Sequence, residues 1–287
     1  MPDIKLIAMD MDGTLLTRID PRTACIPPEN ARVLREAHQR GIHLALASGR
    51  MPDDAGFFAV DADIPMHIIS LNGGVTLDVP FGTPCDARWL QRETVQTVLE
   101  IMQSTTLDCA VFGAWEVVSL RERPLSWAQI VLGTYFGRDG GRLVYRSGGE
   151  GLADLPHVAK IVALTDHDAQ SMAAAKDRIL AACPDVEISS SWWNNFEVNP
   201  AGVTKGTALT HLADRLGIPM SQVMAIGDND NDIPMLEQAG YGVAMGNATA
   251  TAQRSAAWRT LTNEQHGVAA AIRALAFEEH VPGVIRR

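Results

Sequence analysis

Ile4-Lys5-Leu6-Ile7-Ala8-Met9-Asp10-Met11-Asp12-Gly13-Thr14 is an apolar run of strand length that stops abruptly at two carboxylates and a glycine. Ile4 to Met9 reads as a buried strand, Pro28 to Arg40 as a helix stopped by Gly41, and His43 to Ala47 as the next strand. A strand-helix-strand order implies a parallel pair joined by a crossover. His67 to Leu71 continues the set. The same alternation resumes late in the chain: Thr204 to Leu216 is helical, Gln222 to Ile226 a strand, Ile233 to Ala239 helical, Tyr241 to Ala244 a strand, and Glu264 to Ala276 a terminal helix. The fold class is therefore α/β, a doubly wound parallel sheet.

The middle of the chain follows another pattern. Val95, Val98, Leu99 and Met102 form one helical stripe, and Cys109 to Phe112 and Glu116 to Leu120 are two strand-like runs too close together for a helical crossover, so they read as a hairpin. Lys160 to Thr165, a helix from His167 to Ala182 and Val186 to Ser190 form a second helix-and-strand set. Six glycines between Gly137 and Gly151 make that stretch a loop or flap. The expected organisation is a core over 1–82, an α+β insert over 83–191, and a return to the core over 192–287.

At 287 residues, 24 Lys+Arg against 34 Asp+Glu and a formal charge of −10, the chain has the profile of a soluble globular protein. Phosphate-backbone binding needs clustered basic residues, and no basic run occurs, so neither nucleic acid nor an anionic membrane is an expected partner. No apolar run approaches the roughly 18 residues of a membrane span, and charges interrupt the N-terminal segment, so a cytoplasmic location is expected. Cys25, Cys85, Cys109 and Cys183 are widely spaced and read as buried, reduced thiols.

Two acidic clusters follow strands. Asp10 and Asp12, two residues apart on extended backbone, point the same way, and ligands of open α/β sheets bind beyond the carboxyl ends of the strands. Asp and Gly after a strand also serve as ordinary turn formers. Gly227-Asp228-Asn229-Asp230-Asn231-Asp232 places three more carboxylates in a short span, where helix capping accounts for one or two. A calcium-binding EF-hand is excluded, because Ile233 stands where its Gly is required and Ala239 where its Glu is required. Converging carboxylates call for a compensating cation, and an all-oxygen donor set favours Mg²⁺ over zinc. A magnesium site with open positions implies a phosphate substrate. Ala47-Ser48-Gly49-Arg50 offers a hydroxyl and a guanidinium at a strand end, and Lys205-Gly206 puts an ammonium at a helix start, although each segment taken alone reads more simply, Ser48-Gly49 as a turn and Arg50 and Lys205 as solvated surface charges. No Walker loop and no G-x-G-x-x-G after a strand is present.

In this order, Asp10-Met11-Asp12-Gly13-Thr14-Leu15-Leu16, Ser48-Gly49-Arg50, Lys205-Gly206 and Gly227-Asp228 through Leu236 resemble the four motifs of the haloacid dehalogenase superfamily of phosphatases. They resemble in particular its Cof-like branch, with an α+β cap of type IIB. Asn72-Gly73-Gly74 is similar to that branch's Asn-Gly-Ala segment, with Gly74 in place of Ala. The resemblance implies that Asp10 is the nucleophile forming an aspartyl-phosphate, and that Asp12 is the acid/base. It implies Mg²⁺ on Asp10, the Asp12 backbone carbonyl and Asp228, with Asn231 and Asp232 in support. Ser48, Lys205, Gly13 and Thr14 would bind the phosphoryl group, and Arg50, Asn72 and Gly73 would contact substrate. Asp230 is expected to face solvent.

The substrate implied is a small phosphorylated metabolite, with sugar phosphates favoured. Trp192-Trp193-Asn194-Asn195 and Glu197 could form an aromatic wall with amides for sugar hydroxyls, or fill a hinge as buried residues. A phosphomutase and a non-catalytic phosphometabolite-binding protein are the competing readings. The paired Asp10 and Asp12 argue against the last, since a binding module needs no nucleophile beside an acid/base.

Overall fold

The computed structural model describes residues 3–17, 24–78, 84–131, 143–152, 155–165, 168–190 and 194–287. The chain divides into two units, one of residues 1–48, 54–86 and 204–287, the other of residues 49–53 and 87–203.

The first unit is built on a nine-stranded sheet in the order Ile285–Arg286, Trp258–Arg259, Tyr241–Ala244, Val223–Gly227, Leu6–Met9, His43–Ala47, His67–Ser70, Val75–Leu77, Pro84–Ala87. The central strands are parallel, and Leu6–Met9 pairs with both Val223–Gly227 and His43–Ala47. Every residue of Leu6–Met9 is buried, as a strand covered on both faces must be. Helix Pro28–Gln39 turns Ala31, Val33, Leu34 and Ala37 inward, starts on a proline that suits the first helical turn, and ends before Gly41 at φ +82°. Helix Lys205–Leu216 ends likewise at Gly217, φ +69°. The expected terminal helix is broken: Asn263–Gln265 is a 3₁₀ turn, His266 is left-handed at φ 58°, and the helix proper is Gly267–Leu275.

The second unit carries a six-stranded sheet in the order Val186–Ser189, Asn195–Pro200, Lys160–Leu164, Asp108–Phe112, Glu116–Ser119, Val144–Arg146. Helices Arg92–Gln103 and Ala169–Ala182 cover one face, packing Val98, Ile101, Ala175 and Ile179 with Val111, Ile161, Ala163, Phe196 and Val198. Two expectations change here. Val144–Arg146, inside the glycine-rich stretch, is a short strand parallel to Glu116–Ser119 rather than loop. The return to the core at residue 192 comes too early, because Asn195–Pro200 pairs on both sides within this second sheet and buries Phe196 and Val198 in its core. Trp192 and Trp193 lie outside the described residues. Of the four cysteines expected to be buried, Cys109 and Cys183 are buried free thiols, Cys85 is half-buried and Cys25 is exposed ahead of the first helix. Among the described residues no helix is long and apolar enough to cross a membrane.

Candidate active site

In the first unit the strand ends of Leu6–Met9 and Val223–Gly227 lie side by side, with Met9 opposite Ile226. The Asp10 N–H extends that ladder by donating to Ile226 O at 2.9 Å. Adjacency in the sheet thus brings together two acidic segments that are more than two hundred residues apart in sequence. Carboxylate oxygens of Asp10, Asp228 and Asp232 all fall within 4.8 Å of one another.

Lys205 is the cation at their centre. Its Nζ donates to Asp10 Oδ1 at 2.6 Å and to Asp232 Oδ1 at 2.6 Å. Its helix is started by Thr204, whose hydroxyl accepts from the Thr207 N–H at 3.1 Å while the Thr207 hydroxyl accepts from the Thr204 N–H at 3.0 Å. The glycine after the lysine is a packing requirement: a Cβ on Gly206 would stand 2.6 Å from the Pro234 carbonyl carbon and oxygen. Asp232 is fully buried, and its other oxygen accepts from the N–H groups of Asp228 at 2.8 Å and Asn229 at 3.0 Å. Asp232 is therefore engaged on both oxygens, holding Lys205 on one side and the turn on the other.

Gly13 sits at φ +88°, and a Cβ there would meet Asp228 Oδ2 at 2.5 Å, so both the turn and the approach of Asp228 need glycine. Thr14, expected at the phosphate, is fully buried and donates its hydroxyl to Asp228 Oδ1 at 2.8 Å. The hydroxyl thus orients that carboxylate. Asp12 is partly exposed, in the turn that bridges back to Leu16.

Ser48 is buried at the end of the neighbouring strand His43–Ala47, and its carbonyl accepts from the Asn72 N–H at 3.0 Å. Asn72 Oδ1 in turn accepts from Asn231 Nδ2 at 3.1 Å. Leu71 and Asn72 are both left-handed, at φ 52° and 57°, backbone strain of the kind that gathers at functional sites. A Cβ on Gly73 would lie 2.4 Å from Thr204 O, so this segment packs directly on the residue that caps the Lys205 helix. Ser48, Asn72, Gly73, Asn231, Asp232 and Lys205 are thus joined. Arg50 belongs to the second unit. Asp230 is exposed and accepts from the Thr249 hydroxyl at 2.8 Å.

Electrostatics sharpen the picture. Burial disfavours the Lys205 ammonium, but Asp10 and Asp232 outweigh burial, so its pKa rises and it stays charged. Burial raises the Asp10 carboxyl well above the usual range against the pull of Lys205, and the charges of Asp232 and Asp228 act in the same upward direction. Burial and Asp232 push Asp228 up to about 6, partly offset by the Thr14 hydroxyl. One ammonium faces three carboxylates, and the surplus negative charge together with an all-oxygen donor set fits a hard divalent cation. Because Asp232 is occupied by Lys205 and two N–H groups, Asp10 and Asp228 are the carboxylates suited to hold it.

In the second unit Glu197 is buried and accepts from Lys160 Nζ at 3.0 Å. Asn195 is buried in the same strand.

The haloacid dehalogenase-like hydrolase family matches this chain over residues 7–272. The 5-amino-6-(5-phospho-D-ribitylamino)uracil phosphatase YcsE of Bacillus subtilis (strain 168) is 30% identical over 271 residues, covering 94% of this chain and 95% of its own. The crystal structure of a haloacid dehalogenase-like hydrolase from Bacteroides thetaiotaomicron is 27% identical and superposes with a TM-score of 0.80, covering 95% of this chain and 99% of its own. A subclass IIB sugar phosphatase of the same superfamily shares the fold, with a TM-score of 0.77 at 20% identity, covering 95% of this chain and 99% of its own.

Proposed function

The chain belongs to the haloacid dehalogenase-like hydrolase family and is a phosphatase of that family, and on that premise we propose that it is a Mg²⁺-dependent phosphatase of small phosphorylated metabolites working through an aspartyl-phosphate on Asp10. The observation that carries the reading is the Asp10 carboxylate at the end of a central strand, held by Lys205 at 2.6 Å with Asp228 beside it.

A carboxylate oxygen of Asp10 attacks phosphorus in line, the bond to the leaving oxygen breaks, and the phosphoryl group rests on Asp10. Asp12 gives its proton to the departing alcohol oxygen and then takes one from the water that releases phosphate. Lys205 and Ser48 hold the phosphoryl oxygens as charge redistributes, in positions fixed before the reaction starts. Asp10, the Asp12 backbone carbonyl and Asp228 would hold Mg²⁺, which supplies neutralisation of the charge on the transferring group. Asp232, Thr14 and Asn231 orient these groups without touching substrate.

The second unit, residues 49–53 and 87–203, would set substrate choice, and a sugar or polyol phosphate is the favoured class. The relative YcsE, named for a phosphorylated ribitylamino compound, supports it. A panel of phosphorylated metabolites incubated with Mg²⁺ and assayed for free phosphate tests the reading. Release from polyol and sugar phosphates is expected. Isomerised sugar phosphate without free phosphate would replace it with a mutase, and no turnover of any ester would overturn it.

A further inference from the structure

Backbone groups of a buried loop must find partners, so the loop carrying Asp10 and Asp12 can be checked group by group. Within it, the N–H groups of Thr14, Leu15 and Leu16 donate to Met11 O at 3.3 Å, Asp10 O at 3.3 Å and Met11 O at 2.9 Å. Those bonds occupy the carbonyls of Asp10 and Met11, while the carbonyls of Gly13, Leu15 and Leu16 are also met from outside the loop.

Each of the three meets an asparagine amide. Asn247 Nδ2 donates to Gly13 O at 2.8 Å, Asn30 Nδ2 to Leu15 O at 3.1 Å and Asn263 Nδ2 to Leu16 O at 3.0 Å. An asparagine offers a donor end and an acceptor end. Two of these residues use the acceptor end on the scaffold: Asn247 Oδ1 accepts from the Asn263 N–H at 2.9 Å, and Asn30 Oδ1 from the Ala269 N–H at 3.2 Å. They therefore act as struts between rigid backbone and the loop.

Asp10 does not depend on them, because the sheet ladder and Lys205 already hold it. Asp12 lies in the turn that bridges to Leu16, whose carbonyl Asn263 grips, and the Gly13 carbonyl gripped by Asn247 belongs to the next residue. We propose that Asn247 and Asn263 are positioning residues for Asp12, keeping its carboxyl at the leaving oxygen. This rests on the reading of Asp12 as the acid that protonates the leaving alcohol.

The test uses leaving groups. An aryl phosphate such as p-nitrophenyl phosphate departs without help, whereas an alkyl phosphate needs the proton. Asn247 is exposed, so Asn247→Ala opens no cavity in the core. With Mg²⁺ supplied, Asn247→Ala and Asn263→Ala are expected to lose about 30- to 100-fold in kcat/KM on the alkyl ester and less than about 3-fold on the aryl ester, within the usual reach of general acid catalysis. Asn247→Asp keeps the acceptor for Asn263 but turns a carboxylate on the Gly13 carbonyl, and should lose as much as Asn247→Ala. Asp12→Ala calibrates the scale. A steep leaving-group dependence in Asp12→Ala with uniform or negligible losses in the asparagine variants would overturn this proposal alone. Equal losses on both esters in Asp12→Ala would overturn the acid reading and the proposal together.

Discussion

Lys205 in the first unit and Lys160 in the second are both almost completely buried ammonium groups, with side chains 1% and 5% exposed. Lys160 faces Glu197 at 3.0 Å and lies 5.1 Å from the centre of the Phe112 ring, a pair balanced in charge. Lys205 faces Asp10 and Asp232 at 2.6 Å each, with Asp228 adjoining, so its surroundings carry more negative charge than it can offset. A balanced buried pair is self-sufficient. An unbalanced one is stable only because the fold imposes it, and on the proposed function a cation and a phosphoryl group would complete it.

The difference can be broken at either end. The largest effect on stability is expected for Glu197→Leu, which strands Lys160 in the interior and should cost about 3–5 kcal/mol in chemical denaturation. Replacing both partners by apolar residues should restore most of that loss. Lys205→Met should lower kcat/KM for a generic phosphate ester by about 10²- to 10³-fold, the range for removing one preorganised group on a charged transition state.

Asp228→Asn should act in the opposite sense to Glu197→Leu and stabilise the metal-free protein, by on the order of 1–2 kcal/mol, and should abolish the rise in melting temperature expected of the wild type on adding Mg²⁺. The pH dependence has a definite sign. With burial and Asp232 raising Asp228 to about 6 in the folded protein from the ordinary aspartate value of 3.8, wild-type stability falls as pH rises through that interval. The advantage of Asp228→Asn is therefore full above the upper value and disappears below the lower one. The smallest effect is expected for Thr14→Val, which removes a single hydrogen bond to Asp228 and should cost about 0.5–1 kcal/mol or a few-fold in turnover. A loss in Thr14→Val as large as in Lys205→Met would mean that Thr14 touches the phosphoryl group after all.

What could be read from the sequence was local. An apolar run closed by Asp10 and Asp12, or by Gly227 and Asp228, announces a strand end and its chemistry together, and parallel order places both at one sheet edge. Lys205-Gly206 is legible for the same reason, although the need for Gly206 to clear Pro234 appears only in the packing. Asn30, Asn247 and Asn263 were hidden, because an asparagine in a loop looks like any turn former until its distant carbonyl partner is known. Helix Pro52–Asp61 is not legible in the sequence, because Asp53, Asp54 and Gly56 blur its apolar period. Asn195–Pro200 joins the second unit's sheet, which the sequence does not disclose because Phe196 and Val198 alternate as in any half-buried strand, and alternation does not say which sheet a strand joins.

The central claim is that Asp10 carries the phosphoryl group, and Asp10→Asn tests it most directly. The folded variant, checked by its melting transition, should release no phosphate above background from an ester that the wild type hydrolyses with Mg²⁺. Wild-type protein quenched in acid during turnover should carry a phosphoryl group on the peptide containing Asp10. Near-normal, metal-dependent phosphate release by Asp10→Asn would contradict the account.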